Sequence, residues 1–214
     1  MVNYIRRMVA TAEGKKPKNV KVGHTGTLDP LATGLLVILV GKEYTRRAPE
    51  WNKLDKTYEA TMRLGQTSTT GDEEGEKTAV SDRVPADEEI AAVLQQFTGD
   101  LMQTPPVYSA MKIDGVRAYK LARQGQEVVL EPRPTKIYSN ELVAYEYPFV
   151  RFTSRVSSGT YIRSLVEDMG KALGTGAYMS GLRRTQIGDF DIADAVVVET
   201  LQAETLPLRQ IKSR

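Results

Sequence analysis

Residues 56–64 (KTYEATMRL) alternate between apolar and polar side chains, and this alternation constrains the fold more than any other feature of the sequence. A period of two over nine residues predicts a half-buried strand. Tyr58, Ala60, Met62 and Leu64 would share its buried face. Residues 134–146 and 148–157 are predicted to be two further strands that could pair, and residues 180–188 a final strand. Strands are therefore a principal part of the predicted structure.

Helices are predicted where apolar residues recur every three or four positions. The predicted helices cover residues 2–13, 42–52, 86–97, 116–125 and the part of 156–173 that begins at Ile162. Gly14 and Gly125 are suited to end the first and fourth of these. Residues 65–78 (GQTSTTGDEEGEKT) are polar and rich in glycine, which predicts a mobile loop.

One candidate for chemistry is Asp29, which lies in the stretch KVGHTGTLDPLATGLLVILVG at residues 21–41. Pro30 biases the preceding residue away from helical backbone angles, so we expect Asp29 on a stiff turn. The short apolar run Leu35–Val40 predicts a strand buried on both faces that would anchor this loop. Asp29 is therefore a candidate carboxylate nucleophile. In the alternative interpretation, the Asp and Thr side chains of the loop only form turns with their own backbone.

An arginine in the first turn of a predicted helix supports the first interpretation. Arg163 follows the lead-in Ser158–Thr160, where the helix dipole disfavours a cation. An arginine at this position needs a nearby carboxylate. Asp29 could supply it, and the Arg163 charge would then favour the ionised form of the acid.

Composition excludes several other chemistries. The 214 residues contain no cysteine and one histidine, so there is no disulfide framework, no Cys-ligated zinc and no His-rich metal site. The sequence lacks the nucleotide-binding patterns GxxxxGK[ST] and GxGxxG and the hydrolase turn GxSxG. It contains no apolar run long enough to cross a membrane and no apolar signal-peptide region. These absences fit a cytoplasmic protein, which we expect to be a monomer.

The charge distribution indicates a polyanionic partner. Net charge is only +2, but residues 1–21 are basic and residues 72–89 are acidic. The alternative is that both runs are solvated faces of ordinary helices and loops. Residues 103–128 interleave Lys and Arg with Tyr108 and Tyr119, a combination that suits phosphates and stacked bases. The alternative for this last segment is an ordinary amphipathic helix with Tyr119 half-buried.

Five blocks of sequence, taken together, resemble the TruB family of tRNA pseudouridine synthases. They are GHTGTLDPLATGLL at 23–36, YEATMRLGQTSTTGDEEG at 58–75, PPVYSAMKIDGVRAYKLARQG at 105–125, SSGTYIRSLVEDMG at 157–170 and LRRTQIGDF at 182–190. The resemblance covers nearly the whole chain and points to the bacterial tRNA branch. It implies an α+β fold, with a mixed, mostly antiparallel sheet flanked by helices and loops. Residues 105–125 would form a thumb-like insertion that grips RNA.

The resemblance also implies an activity. Family members convert uridine 55 in the T loop of tRNA to pseudouridine by flipping the base, cleaving the glycosidic bond and reattaching the base through carbon 5, without metal or cofactor. Asp29 would be the nucleophile and Arg163 its partner. Tyr58 would stack on the flipped base and is a candidate base for proton abstraction.

Three more residues acquire roles from the same resemblance. Tyr161 and Leu182 would line the uracil pocket. His24 would fill the space that the flipped base vacates and help to hold the RNA loop open.

The chain departs from the family pattern in two places. Members usually begin with a strand carrying a KPxGxTS-like motif, which is absent here, and many carry a small C-terminal RNA-binding domain. We expect a catalytic domain at residues 1–190 and a short tail at 191–214, too short for that domain. Loss of the first strand would weaken stability and activity, so the alternative function is a tRNA-binding or tRNA-folding protein with weak or no catalysis.

Overall fold

The computed structural model describes residues 1–201 except 110, 114 and 127. Its helices are α1 Val2–Ala12, α2 Lys42–Arg46, α3 Ala48–Asn52, α4 Asp87–Gln96, α5 Ala118–Arg123 and α6 Ile162–Ala172. Its strands are β1 Val22–His24, β2 Thr33–Gly34, β3 Ile38–Val40, β4 Lys56–Leu64, β5 Gln66–Ser68, β6 Lys77–Ala79, β7 Gly99–Gln103, β8 Lys112–Ile113, β9 Val116–Arg117, β10 Arg133–Glu146, β11 Phe149–Val156, β12 Ala177–Ile187 and β13 Phe190–Asp191.

A seven-stranded sheet organises the described part of the chain. Its strands lie in the order β13-β12-β4-β11-β10-β7, and β2 pairs with β12 as a side branch. Every pairing is antiparallel except that of β2 with β12. The architecture is therefore α+β with a mixed, mostly antiparallel sheet, as the sequence resemblance implied.

The main core lies between one face of this sheet and the two helices α4 and α6. The alternation predicted for β4 is present, because Ala60, Met62 and Leu64 are buried while Glu59 is exposed. Met62 and Phe152, on neighbouring strands, pack in one cluster with apolar residues of both helices. Burial of such side chains is the main favourable term in folding.

A second, smaller core lies under α1. Ile5, Val9 and Ala10 of this helix pack against Val20 and Val22, next to the two-stranded ladder of β1 and β3. The loop between β1 and β3 contains β2, which docks on the edge of the main sheet. The loop that carries Asp29 is therefore anchored in both cores.

Most predicted elements are confirmed within a few residues. The predicted helix at residues 2–13 corresponds to α1, the one at 86–97 to α4, and the one beginning at Ile162 to α6. The strand at 56–64 has the predicted bounds, the next two predicted strands form the pair β10 and β11, and the final strand begins three residues earlier than predicted.

Four local predictions are wrong. The supposed mobile loop at 65–78 contains the hairpin of β5 and β6, and it buries Asp72. The helix at 42–52 is divided at Arg47, one residue before Ala48-Pro49. The fourth helix begins at Ala118, because the two residues before it pair in β9. The predicted strand at Leu35–Val40 is shortened to β3. Residues 110 and 114 of the predicted insertion and residues 202–214 of the predicted tail lie outside the described residues.

No helix in the described ranges is long and apolar enough to cross a membrane.

We predict that Gly34→Ala destabilises the protein far more than Gly99→Ala. The two glycines have similar positive φ angles, 99° and 104°. A Cβ on Gly34 would lie 2.3 Å from the carbonyl oxygen of Arg184, whereas a Cβ on Gly99 would meet nothing within 4 Å. Both variants carry the backbone strain of a positive φ angle, but only Gly34→Ala adds a steric clash. Gly99→Ala should therefore lower the free energy of unfolding by about 1 kcal/mol and Gly34→Ala by about 3 kcal/mol. Denaturant unfolding measures both, and equal losses would contradict the docking of β2 on β12.

Candidate active site

Asp29 lies at the start of a tight turn between the two cores. The N–H of Ala32 donates to the Asp29 carbonyl oxygen at 2.9 Å, which closes a turn with Pro30 at its second position. This position is the one that proline pre-organises in such turns. The predicted stiff turn is therefore present, and the Asp29 side chain keeps 34% of its surface exposed.

Arg163 connects the Asp29 turn to two other segments. Its Nε lies 3.1 Å from Asp29 Oδ2, and one terminal nitrogen lies 3.3 Å from Asp29 Oδ1. The same nitrogen donates to the Tyr108 carbonyl oxygen at 2.9 Å. The other donates to the Thr70 carbonyl oxygen and to Asp72 Oδ2, both at 3.2 Å. An arginine at the start of a helix requires a nearby carboxylate, and two are present here, those of Asp29 and Asp72.

Asp72 is the site residue that the sequence analysis missed. Its side chain is 3% exposed and faces an Arg163 side chain that is 6% exposed. The Thr70 hydroxyl and the Glu74 N–H both donate to Asp72 Oδ1, at 2.5 and 3.1 Å. Asp72 begins the acidic run at 72–89, and the sequence pattern does not distinguish it from the exposed carboxylates of that run. The available signal was the arginine itself, because a buried guanidinium needs its charge and all its donors satisfied.

The Asp29 carboxyl experiences opposing electrostatic effects. Burial raises its pKa above the ordinary value of 3.8, the Arg163 guanidinium lowers it, and the Asp72 charge raises it. Burial is the largest effect, so the net shift is upward. We expected Arg163 to favour the ionised form, and it does. It does not, however, outweigh the removal of the carboxylate from water.

Tyr58 and Leu182 lie on neighbouring strands of the main sheet. Leu182 is opposite Ala60, two residues beyond Tyr58 on β4, and both side chains pack against the main core. Burial is also the largest cause of a raised pKa for the Tyr58 hydroxyl, which the Asp29 charge raises further. The structure therefore brings Tyr58 into electrostatic range of Asp29.

Tyr161 is held at the start of α6, two residues before Arg163. Its N–H donates to Gln103 Oε1 at 2.8 Å, and Gln103 Nε2 donates to the Tyr161 carbonyl oxygen at 3.0 Å. Gln103 is buried and thus ties the end of β7 to the start of this helix. Burial raises the pKa of the Tyr161 hydroxyl, and the Asp29 charge acts in the same direction. Nothing in the sequence pattern singled out Gln103.

His24 lies at the other end of the loop. It ends β1, opposite Ile38 of β3, and its Nδ1 accepts a hydrogen bond from the Gly26 N–H at 3.3 Å. Its ring is half-buried. The hydrogen bond of His24 is therefore made within the loop backbone and not to the Asp29 carboxylate.

The assembled groups suit acid–base and nucleophilic chemistry. A partly exposed carboxylate is fixed by a buried arginine and lies in range of two tyrosine hydroxyls. Among the residues that the structure describes, no group of three or more His, Asp or Glu side chains is arranged to hold a metal ion.

We predict that Asp72→Asn lowers the free energy of unfolding by about 3 kcal/mol. This is near the lower end of the cost of breaking a buried ion pair, because Asp29 still faces Arg163. The matched control is Asp168→Asn, which breaks an exposed pair with Lys171 on α6 and should cost at most about 0.5 kcal/mol. Denaturant unfolding compares the two variants, and equal losses would show that the buried pair contributes no more than a surface pair.

Two family models match consecutive parts of the chain. Residues 13–162 match the TruB family pseudouridylate synthase N-terminal domain, and residues 163–212 match the tRNA pseudouridylate synthase B C-terminal domain. Their border lies inside α6, and β12 in the second part pairs with β4 in the first. The border between the models is therefore not a structural boundary in this chain.

Curated relatives agree with the family models. A tRNA pseudouridine synthase B of Stutzerimonas stutzeri is 50% identical over 185 residues, covering 85% of this chain and 59% of the relative. A protein of the same name from Opitutus terrae is 44% identical over 195 residues, covering 91% of this chain and 80% of the relative. The chain thus spans less than two thirds of the first relative's length and four fifths of the second's.

Solved structures share the fold. A crystal structure of a Cbf5-Nop10-Gar1 complex has a TM-score of 0.63 at 32% identity and covers 87% of this chain and 45% of that chain. A structure of an H/ACA RNP bound to a substrate RNA containing 2'-deoxyuridine has a TM-score of 0.59 at 29% identity and covers 88% and 44%. A family model matches residues 13–162, and the two curated relatives are 50% and 44% identical to the chain. The chain therefore belongs to the TruB family of pseudouridylate synthases.

Proposed function

We propose that this protein is a tRNA pseudouridine synthase that isomerises the uridine at position 55 in the T loop. The observation that carries the proposal is the Asp29 carboxylate, fixed by Arg163 on a turn anchored in both cores. Relatives named tRNA pseudouridine synthase B support both the reaction and the class of RNA.

The reaction requires a base to leave its stack, detach from the sugar, rotate and rejoin through carbon 5. Asp29 would act at the sugar, because a carboxylate can form a covalent intermediate and later leave. Tyr58 would stack on the extruded uracil and is the candidate for moving the carbon 5 proton. The Arg163 charge keeps the acid oriented and favours its ionised form.

The remaining predicted residues would hold the substrate. Tyr161 and Leu182 would line the uracil pocket, where exclusion of water protects the detached base. His24 would occupy the space left in the RNA. Residues 105–125 would contact the T stem-loop, consistent with the Tyr108 carbonyl of that segment already bonding to Arg163.

Asp29 could act by either of two routes. It could attack the sugar carbon directly, or it could assist elimination to a glycal. Elimination breaks the bond between C2' and its hydrogen, whereas direct attack leaves this bond intact. A tRNA carrying deuterium at C2' of the target nucleotide therefore distinguishes the routes, since only elimination predicts a primary isotope effect.

We predict that Asp29→Asn binds unmodified tRNA with nearly unchanged affinity but forms no detectable pseudouridine. Loss of a nucleophile costs about 10⁴-fold or more in rate. The control Asp100→Asn makes the same change at an exposed site on β7, so it should retain its rate within about twofold. Single-turnover assays with position-specific mapping of pseudouridine test both variants.

A transcript with cytidine in place of the T-loop uridine tests the position. Product at another uridine of this transcript would contradict the T-loop assignment. Tight binding of unmodified tRNA by the unaltered protein, without product at enzyme excess, would favour the alternative of a tRNA-binding or tRNA-folding protein.

We predict an acidic limb in the pH–rate profile at a pH above the ordinary carboxyl pKa of 3.8. The active form of Asp29 is the carboxylate, and burial raises its pKa, so activity is lost as pH falls through the raised value. In Asp72→Asn this limb should move to lower pH, because a neighbouring negative charge is gone. Single-turnover rates across pH measure both. A limb that moves to higher pH in Asp72→Asn would contradict the electrostatic coupling.

A further inference from the structure

Arg184 is buried more completely than Arg163, yet it is not needed for the chemistry described so far. It is 1% exposed and is the largest of the fully buried side chains in the described chain. Among the described residues no carboxylate forms an ion pair with it. A buried cation without a counter-ion is costly, so its other contacts should explain its presence.

Two of these contacts are carbonyl oxygens at opposite ends of the Asp29 loop. Arg184 Nε donates to the Leu35 carbonyl oxygen at 2.8 Å, and one terminal nitrogen donates to the Gly26 carbonyl oxygen at 3.1 Å. The planar guanidinium has donors in a fixed fork, which a lysine lacks. Arg184 therefore sets the distance between the two ends of the loop.

The backbone of Arg184 reinforces this contact. The Leu35 N–H donates to the Arg184 carbonyl oxygen at 2.7 Å, next to the close approach of Gly34. One residue of β12 thus binds the end of the loop through its main chain and its side chain.

The same guanidinium reaches Tyr58. Arg184 is opposite Tyr58 in the pairing of β12 with β4, so the two side chains share the inner face of the sheet. Its charge lowers the pKa of the Tyr58 hydroxyl, against the larger effect of burial.

We propose that Arg184 is a positioning residue that fixes the Asp29 loop relative to Tyr58, because it bonds both ends of the loop from a position opposite Tyr58 in the sheet. The proposal rests on the proposed function, in which Asp29 and Tyr58 act on the same nucleotide. A misplacement of about 1 Å between reacting groups costs about 100-fold in rate. Without this arginine, we expect the substrate to bind while the reacting groups are misaligned.

The test compares Arg184→Gln with Arg183→Gln. Arg183 is the preceding residue on the same strand, but it is exposed and faces the other side of the sheet. We expect Arg184→Gln to lose about 100-fold in single-turnover rate while its Kd for unmodified tRNA changes by less than about threefold. Arg183→Gln should retain its rate within about twofold.

A second readout reports on Tyr58 directly. In protein labelled at the ring carbon that bears the hydroxyl, the NMR shift of Tyr58 follows its ionisation, and Tyr58→Phe assigns the signal. We expect its midpoint to move to higher pH in Arg184→Gln, because the neighbouring cation is lost. Arg184→Lys keeps the charge but not the fork, so its midpoint should move less while the rate still falls.

The proposal fails if Arg184→Gln keeps its rate within about threefold. It fails equally if the Tyr58 midpoint does not move. If Arg184→Gln does not fold by circular dichroism, the rate and the Tyr58 midpoint of Arg184→Lys decide. If the unaltered protein forms no pseudouridine, the proposed function fails, and the Tyr58 midpoint alone decides whether Arg184 holds this side chain.

Discussion

The buried guanidinium of Arg163 is the interaction on which the site depends. It bonds to the Asp29 turn, to the loop of the β5–β6 hairpin and to the Tyr108 carbonyl, three segments far apart in sequence. Removing such a charge from water is expensive, and only well-placed partners offset the cost. The three segments are therefore not independent. Each segment supplies hydrogen-bond acceptors that offset part of the desolvation cost of the arginine, and together they fix the direction in which Asp29 faces.

The charge balance around Arg163 has a chemical result as well. One cation faces two carboxylates, of which Asp72 is nearly inaccessible and Asp29 is partly exposed. Burial is the main cause of the raised pKa of the Asp29 carboxyl, and the neighbouring Asp72 charge adds to it. A carboxylate held less favourably in its ionised form is a better nucleophile than one whose charge is fully satisfied. Asp72 is thus enclosed, whereas Asp29 remains accessible for the proposed chemistry.

The sequence predicted local structure well where a single periodicity was strong. The alternation of residues 56–64 predicted the bounds of β4, and Arg163 in the first turn of its helix predicted a nearby carboxylate. The family and the α+β fold followed from five ordered blocks. What could not be predicted depended on contacts between distant segments. Asp72 lies in a polar, glycine-rich stretch whose local pattern indicates a loop, and that pattern does not reveal the pairing with the distant Arg163 that compensates its burial.

The same limit applies to the two arginines of β12. Arg183 and Arg184 are adjacent and identical in type, so the sequence alone does not show which of them is buried. The register of β12 against β4 decides this, because it places Arg184 opposite Tyr58 on the inner face and Arg183 opposite Glu59 on the outer face. Register is set by the whole sheet, and a shift of one residue would exchange the two environments.

The separation of the two cores has a consequence for how the protein would lose activity. In the described chain the core under α1 contains five buried apolar residues and the core under the main sheet contains seventeen. Units that bury less apolar surface open at a lower free-energy cost, often without unfolding the remainder. The strands that flank the Asp29 loop belong to the smaller unit, whereas Tyr58 and Arg163 belong to the larger. Mild heat or denaturant would therefore open the smaller core first. The position of Asp29 would then rest on the contacts of its loop with the main core, Arg163 and Arg184 alone, and the proposed activity would fall before global melting.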